Sequence, residues 1–127
     1  MSGADQTIAA RTKSLLGMQL WLVHFDKPES LDALYPHLEG HFEYALGLER
    51  DGRLFAAGPI RNAAGELEGQ GLFILRASTR DEAMALAMAD PIAAAGVRKV
   101  RVEHWTVNLG TLDLRLRYSD QRLAITG

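Results

Sequence analysis

The sequence contains no cysteine, which excludes disulfide bonds, thiolate metal sites and a cysteine nucleophile. It also lacks an excess of charge, since 14 basic residues face 16 acidic ones and the formal net charge is −2. Such a balance gives no electrostatic reason to expect nucleic acid as a partner. No apolar run approaches the about 20 residues of a membrane span, and the first 17 residues do not form a secretory signal. We therefore expect a cytoplasmic protein that binds neither nucleic acid nor membranes.

The composition is that of a globular protein of about one domain. The chain has 127 residues, of which 47% are hydrophobic and 24% are charged. We divide it into an N-terminal arm (1–17) with a short helix over 6–16, a main domain (18–107) and a C-terminal extension (108–127). In the extension, leucines alternate with charged residues before a turn, and the segment RLAI follows. This period of two is typical of a half-buried strand and predicts a β-hairpin.

The main domain contains the element order β-α-β-β-α-β. The predicted strands cover 18–25, 53–60, 70–77 and 97–107, and the predicted helices cover 36–50, beginning at Pro36, and 80–89, with a helical turn over 31–35. Thr79 and Glu82 match a capping box for the second helix. The glycine-rich segment 61–69 predicts a loop over a cleft. The order predicts an α+β, ferredoxin-like fold, in which a four-stranded antiparallel sheet carries both helices on one face.

The other face of such a sheet is bare in a monomer. Trp21, Phe73 or Trp105 lies on that face, depending on the register of the strands. A large exposed apolar face usually marks an interface. The C-terminal hairpin also needs a surface to dock on, because a two-stranded hairpin is marginal in water. We therefore expect a homodimer.

His41 and Asp90 are the candidate site residues. His41 lies on the apolar stripe of the first long helix, where a histidine either exchanges a proton near neutral pH or simply bonds a backbone carbonyl. Asp90 precedes Pro91 where one helix ends and a short helical turn begins, a position that capping alone explains. If Asp90 bonds one imidazole nitrogen of His41, it fixes the tautomer and leaves the other nitrogen to take a proton. The residues alone leave both interpretations open.

Other catalytic and binding motifs are absent. His37 and His41 are four apart on one helix, but a metal site needs a third ligand, and HLEGH is not the HExxH pattern. Ser30 and Ser78 stand at helix starts, and no GxSxG segment exists for a serine nucleophile. Neither a P-loop nor a GxGxxG fingerprint is present. We therefore expect neither a metal nor a cofactor.

Two segments together resemble the YCII-related (YciI-like) family: HFEYALGLERDGRLFAAGPI and ALAMADPIAAAGVRKVRVEHW. That family has a histidine early in the first helix, a strand xGRLLxAGP, a helix ending in ADP(F/Y)xxAGV and a closing strand. The resemblance covers residues 18–107 and places the family's histidine on His41 and its aspartate on Asp90. Its AGP falls on Ala57, Gly58 and Pro59, and its AGV falls on Ala95, Gly96 and Val97, while Ile92 stands where the family often has an aromatic residue.

The resemblance implies a ferredoxin-like fold of the dimeric α+β barrel type, in which the His–Asp pair is the proposed active site. A related enzyme removes chloride from a chlorinated hydroxyhydroquinone, and muconolactone isomerase shares the fold. We therefore expect a cofactor-independent enzyme that acts on a small-molecule substrate by elimination, dehalogenation or isomerisation. His41 would be its general base, and Asp90 would orient that base.

Gly58, Pro59 and Arg61 are the expected substrate-binding residues. Backbone amides near Gly58, or the side chain of Arg61 or Asn62, would stabilise negative charge that develops on the substrate. The alternative to an enzyme is a non-catalytic module that binds a small ligand in the same cleft or serves oligomerisation alone.

Overall fold

The structure, a computed structural model, describes residues 2–126. Its strands are β1 (Met18–Phe25), β2 (Leu54–Arg61), β3 (Leu67–Leu75), β4 (Val100–Val107), β5 (Asp113–Leu116) and β6 (Leu123–Thr126). Its helices are α1 (Gly3–Thr12), α2 (Leu38–Arg50), α3 (Arg80–Met88) and α4 (Pro91–Ala94), and a 3₁₀ helix (Leu31–His37) precedes α2. Gln19–Thr106 form one compact unit, and the described residues on either side of it form a second. None of the helices in this part of the chain is long and apolar enough to cross a membrane.

The larger unit is built on a four-stranded sheet with the order β2-β3-β1-β4. β3 pairs antiparallel with both β1 and β2, and Val23 lies opposite Phe73. The first and third strands of the domain are therefore central, and the second and fourth are at the edges. This is the strand order of a ferredoxin-like fold, so the predicted α+β class is confirmed.

The core lies between this sheet and the helices. Every second residue of β1 faces the helices, and the buried cluster joins sheet and helix side chains: Trp21, Val23, Phe25, Phe73, Leu75, Leu48, Ala83, Ala87, Ala93 and Val102. Of the three aromatic residues considered for the bare face, Trp21 and Phe73 thus lie in the core. Trp105 follows Val102 by three positions, so it lies on the opposite face, where it is 37% exposed.

Several predicted boundaries differ from those of the structure, and two of these differences follow from local hydrogen bonding. Pro36 lies inside the 3₁₀ helix, and α2 begins two residues later, where the Leu38 N–H donates to the Tyr35 carbonyl. The segment 61–69 is not a long loop, because β2 continues to Arg61 and β3 begins at Leu67. The Asn62 side chain accepts hydrogen bonds from the Ala64 and Glu66 N–H groups, which closes a tight turn between the two strands.

Side chains cap α3 and α4 in the larger unit. The Thr79 hydroxyl accepts from the Glu82 N–H at the start of α3, but the Glu82 carboxylate returns to the N–H of Ser78 rather than to that of Thr79. The predicted capping box is therefore displaced by one residue. At the start of α4, Oδ2 of Asp90 accepts from the Ala93 N–H at 3.1 Å. The predicted cap at Asp90 is confirmed.

The smaller unit contains α1 and the predicted hairpin. α1 occupies Gly3–Thr12 rather than 6–16, because Ser2 and Asp5 form a reciprocal capping box that starts it earlier. β5 and β6 pair antiparallel, with Leu114 opposite Ile125. The apolar side chains of the hairpin are between 57% and 90% exposed: Leu112, Leu114, Leu116, Tyr118, Leu123 and Ile125.

Gly69 allows β3 to pass close to the segment that follows β1. Its φ is +95°, and a Cβ at this position would lie 2.6 Å from Cδ of Pro28. We expect Gly69→Ala to lower the free energy of unfolding by about 2–4 kcal/mol, from backbone strain and overpacking together. Urea unfolding measures this loss.

Gly65→Ala is the matched control. Gly65 also has a positive φ, of +81°, but no described atom lies within 4 Å of an added Cβ. Its cost is therefore backbone strain alone, about 1–2 kcal/mol. Equal losses in the two variants would show that the contact with Pro28 imposes no constraint.

Candidate active site

A cleft of about 680 Å³ opens between the helical segment 31–50 and the strands β2 and β3. Most of its lining side chains are apolar, including Leu34, Leu38, Phe42, Leu46, Ile92 and Phe73. A cleft of this size fits a small molecule and would remove most of its apolar surface from water. It is therefore the candidate binding site.

His41 and Asp90 meet at the wall of this cleft. Nδ1 of His41 and Oδ1 of Asp90 form a hydrogen bond. The imidazole lines the cleft, and its side chain is 16% exposed, whereas the Asp90 side chain is completely buried behind it. Any ligand in the cleft therefore contacts the histidine and not the carboxylate.

The orientation of the imidazole follows from this contact. A carboxylate oxygen only accepts hydrogen bonds, so Nδ1 of a neutral imidazole carries the proton and Nε2 keeps its lone pair. The ring is held between two phenyl groups, stacked on Phe73 at 5.6 Å and edge-on to Phe42 at 5.5 Å between centroids. Among residues 2–126, Asp90 is the hydrogen-bond partner found for this ring, which leaves Nε2 to a ligand.

The two residues meet because α2 and α4 approach closely beside them. A Cβ on Gly40 would lie 3.2 Å from Cγ of Pro91, closer than most such contacts allow. Gly40 precedes His41, and Pro91 follows Asp90. The lack of a side chain at Gly40 therefore permits the separation at which the imidazole reaches the carboxylate.

Tyr44 lies one turn along α2 from His41. Its hydroxyl donates to the Leu86 carbonyl at 2.6 Å, which ties α2 to α3. Burial raises the pKa of Tyr44 above its ordinary value of 10.0, and the negative charge of Asp90 raises it further. Tyr44 therefore stays a neutral hydrogen-bond donor at physiological pH, and its pKa depends in part on the charge of Asp90.

Arg98 also lines the cleft, and the sequence did not single it out. It is 7% exposed, its Nη1 donates to the Gly69 carbonyl at 2.9 Å, and its guanidinium lies 4.5 Å from the centre of the Phe25 ring. Nη2 lies 3.9 Å from Oδ2 of Asp90. Burial lowers the pKa of Arg98 and Asp90 opposes that shift, while an arginine remains charged in proteins.

The predicted substrate-binding residues do not all lie in the cleft. Gly58 and Pro59 line it. Arg61 is not among the lining residues, and its Nη1 donates to the Gly65 carbonyl at 2.9 Å. Asn62 is engaged in the same turn. Arg61 and Asn62, the two side chains considered for stabilising negative charge, are therefore not among the residues that line the cleft.

The other histidines lie apart from the cleft lining. Nε2 of His24 is 2.8 Å from the Glu103 carboxylate, and His104 stacks on Trp21 at 4.3 Å. His37 ends the 3₁₀ helix. Within residues 2–126, no three histidine, aspartate or glutamate side chains are grouped so that they could hold a metal ion.

Three comparisons with known proteins bear on this fold. Residues 18–106 match the YCII-related domain. The chain is 30% identical over 69 residues to the uncharacterized protein YjpA of Bacillus subtilis (strain 168), an alignment that covers 54% of this chain and 75% of that protein. The solved structure of a 5-chloro-2-hydroxyhydroquinone dehydrochlorinase from Burkholderia phenoliruptrix AC1100, in complex with 2,5-dihydroxybenzoquinone, matches with a TM-score of 0.59. It is 24% identical, and the match covers 69% of this chain and 93% of that one, so it shows a common fold.

The raised pKa of Tyr44 has a measurable consequence. Because folding favours its neutral form, its contribution to stability is complete below pH about 10 and is lost as the pH rises further. We expect ultraviolet titration to find one of the three tyrosines ionising at higher pH than the ordinary value, and Tyr44→Phe to remove that phase. Loss of an earlier phase in this variant would contradict the assignment.

Proposed function

The chain belongs to the YCII-related family, and we propose that it is an enzyme that moves a proton on a small-molecule substrate, without a cofactor. The observation that carries this proposal is the His41–Asp90 contact at the wall of an apolar cleft. It combines an oriented imidazole, a buried carboxylate behind it and a binding space in front. These are the parts that general-base catalysis needs.

In the proposed reaction, Nε2 of His41 takes a proton from a C–H or O–H bond of the substrate. The electron pair of a C–H bond beside a carbonyl forms a C=C bond while the carbonyl π pair moves to oxygen, which gives an enolate. Where a halide is suitably placed, the freed pair instead forms a double bond, and the halide leaves with the electron pair of its own bond to carbon. Asp90 stabilises the imidazolium that results and returns the ring to the same tautomer when the proton leaves. Asp90 is thus a positioning residue, because it does not touch the substrate.

The cleft supports a substrate built on a small ring. Phe42 and Phe73 hold the imidazole and also line the cleft, so a planar molecule would pack on apolar and aromatic surface. The fold neighbour described above binds 2,5-dihydroxybenzoquinone and acts on a chlorinated hydroquinone. Oxygenated or halogenated rings and enol-forming acids are therefore the substrate classes to test first.

Replacing His41 tests the proposed role directly. We expect His41→Ala to lower turnover by about 100- to 10,000-fold, because the proton acceptor is lost. The assay incubates enolisable ring compounds and keto acids in D₂O and follows exchange by NMR, with halide release measured for chlorinated hydroquinones.

His37→Ala is the control for this variant, since His37 lies on the same helical segment and does not line the cleft.

Asp90→Asn adds a second comparison. The asparagine oxygen can still cap α4, but its NH₂ group would face His41 and place the imidazole proton on Nε2. We expect turnover to fall about 1,000- to 10,000-fold, and ¹⁵N NMR should show the reversed tautomer. Full activity in His41→Ala would overturn the proposal. If the wild type binds these compounds without turning them over, the protein is a ligand-binding module and not an enzyme for them.

We also propose that the protein acts as a homodimer through the sheet face opposite the helices. Leu22 and Ile74 lie opposite each other in the register, on the face away from the core cluster. Trp105 lies on the same face of β4, and its ring is 37% exposed. A face with these side chains buries apolar area when a second copy covers it.

A charge on this face should dissociate the dimer. We expect the wild type to sediment at twice the 13.9 kDa of one chain and Trp105→Glu to sediment at that single mass. Met88→Glu is the control, because Met88 is similarly exposed, at 44%, but ends α3 on the helix side. A monomeric wild type at the concentrations of the assay would contradict the dimer.

A further inference from the structure

Arg98 has hydrogen-bond donors that its protein partners do not use. The side chain is only 5% exposed, and its Nε and Nη2 are buried and make no hydrogen bond among the described residues. Nη1 alone is satisfied, by the Gly69 carbonyl. A buried N–H group without an acceptor is costly, and more so when it belongs to a charged group.

The groups around Arg98 reduce this cost without removing it. The Phe25 ring faces the guanidinium and supplies a cation–π contact. Asp90 is close enough to lower the energy of the positive charge, but 3.9 Å is too long for a hydrogen bond. Arg98 is also one of the residues that line the cleft. Among the described residues, Nε and Nη2 therefore lack an acceptor beside a space that a ligand can enter.

We propose that Nε and Nη2 of Arg98 bind an anionic oxygen of the substrate, so that the enzyme takes small ring compounds that carry a carboxylate or an ionised hydroxyl group. A guanidinium presents paired N–H donors that match the two oxygens of a carboxylate. The other charged residues lining the described cleft are Asp32 and Glu49, both negative, apart from His41. Arg98 is thus where an anion would be held.

The position of Arg98 relative to His41 supports the same class of substrate. Both side chains approach the one carboxyl group of Asp90, His41 at Oδ1 and Arg98 at Oδ2. A ring held through its anionic oxygen by Arg98 would therefore place a neighbouring atom near His41. Negative charge that forms on that oxygen during proton removal would be stabilised by the same guanidinium. This inference rests on the proposed function, because it names the substrate class of that site.

Binding of matched neutral and anionic probes tests the inference without any assay of turnover. Benzoate and benzamide have the same shape and differ in charge, and 4-nitrophenol can be compared in its neutral and ionised forms. Their dissociation constants are measured by NMR titration for the wild type and for Arg98→Met, which replaces the guanidinium by an apolar chain. Arg50→Met is the control, because it removes the same charge from an exposed position on α2 that does not line the cleft.

We expect Arg98→Met to weaken benzoate or nitrophenolate binding about 10- to 100-fold and to leave benzamide binding unchanged. The control variant Arg50→Met should bind all of these probes as the wild type does. If benzoate alone is affected, the substrate class is a ring carboxylate, and if nitrophenolate alone is affected, it is an ionised ring hydroxyl. Arg98→Lys, which keeps the charge but loses the paired donors, serves if Arg98→Met does not fold, and it should lose several-fold in affinity.

Equal affinity of the wild type and a folded Arg98 variant for both anions would overturn the inference, as would a wild type that binds neither anion. A separate variant, His41→Asn, tests the proposed function independently of the anion site. His41→Asn should retain the preference for benzoate over benzamide while it loses proton exchange. Retained exchange in that variant would reject His41 as the base and would leave the anion site at Arg98 standing.

Discussion

A carboxyl group that has lost all contact with water needs hydrogen bonds and positive charge around it, since burial of an ion costs several kcal/mol when it is not compensated. Asp90 obtains these from three directions: the His41 imidazole on α2, the Ala93 N–H at the start of α4, and the Arg98 guanidinium before β4. Each partner belongs to a different part of the chain. The position of all three segments is therefore tied to one side chain at the wall of the cleft.

The parts of this arrangement that could be predicted from the sequence depend on local patterns. Asp90 followed by Pro91 and Gly96 defines a short helix through capping, and that helix is present. His41 lies on the apolar stripe of α2, which was sufficient to place it toward the interior. The order of the strands and helices followed from runs of apolar residues, and the ferredoxin-like strand order agrees with it. The positions of His41 and Asp90 made them a plausible pair, and the resemblance to a known family then made them the pair to test.

The remaining features depend on contacts between distant residues. Arg98 and Arg101 are neighbours before and within β4, yet Arg101 is exposed and pairs with Glu103, while Arg98 is buried against Gly69, 29 residues earlier. No local pattern separates the two arginines. The segment 61–69 was rich in glycine and polar residues, as loops are, but β2 continues to Arg61 and β3 begins at Leu67, so that only the turn over 62–66 lies outside the sheet. The position of Arg98 thus depends on a tertiary contact, and the length of the loop depends on strand pairing, neither of which composition shows.

The close approach of Gly40 to Pro91 means that a residue without a side chain sets the distance between α2 and α4. A methyl group at Gly40 would meet the proline ring at 3.2 Å, and either the ring or the two helices would have to shift by a few tenths of an ångström. Because His41 and Asp90 are the next residues on each side, a shift of the helices would lengthen the bond between imidazole and carboxylate. In a survey of variants, position 40 would therefore behave like part of the active site, although it offers no group to a ligand. In a redesigned protein, the same position would serve as an adjustable spacer between an acid and a base.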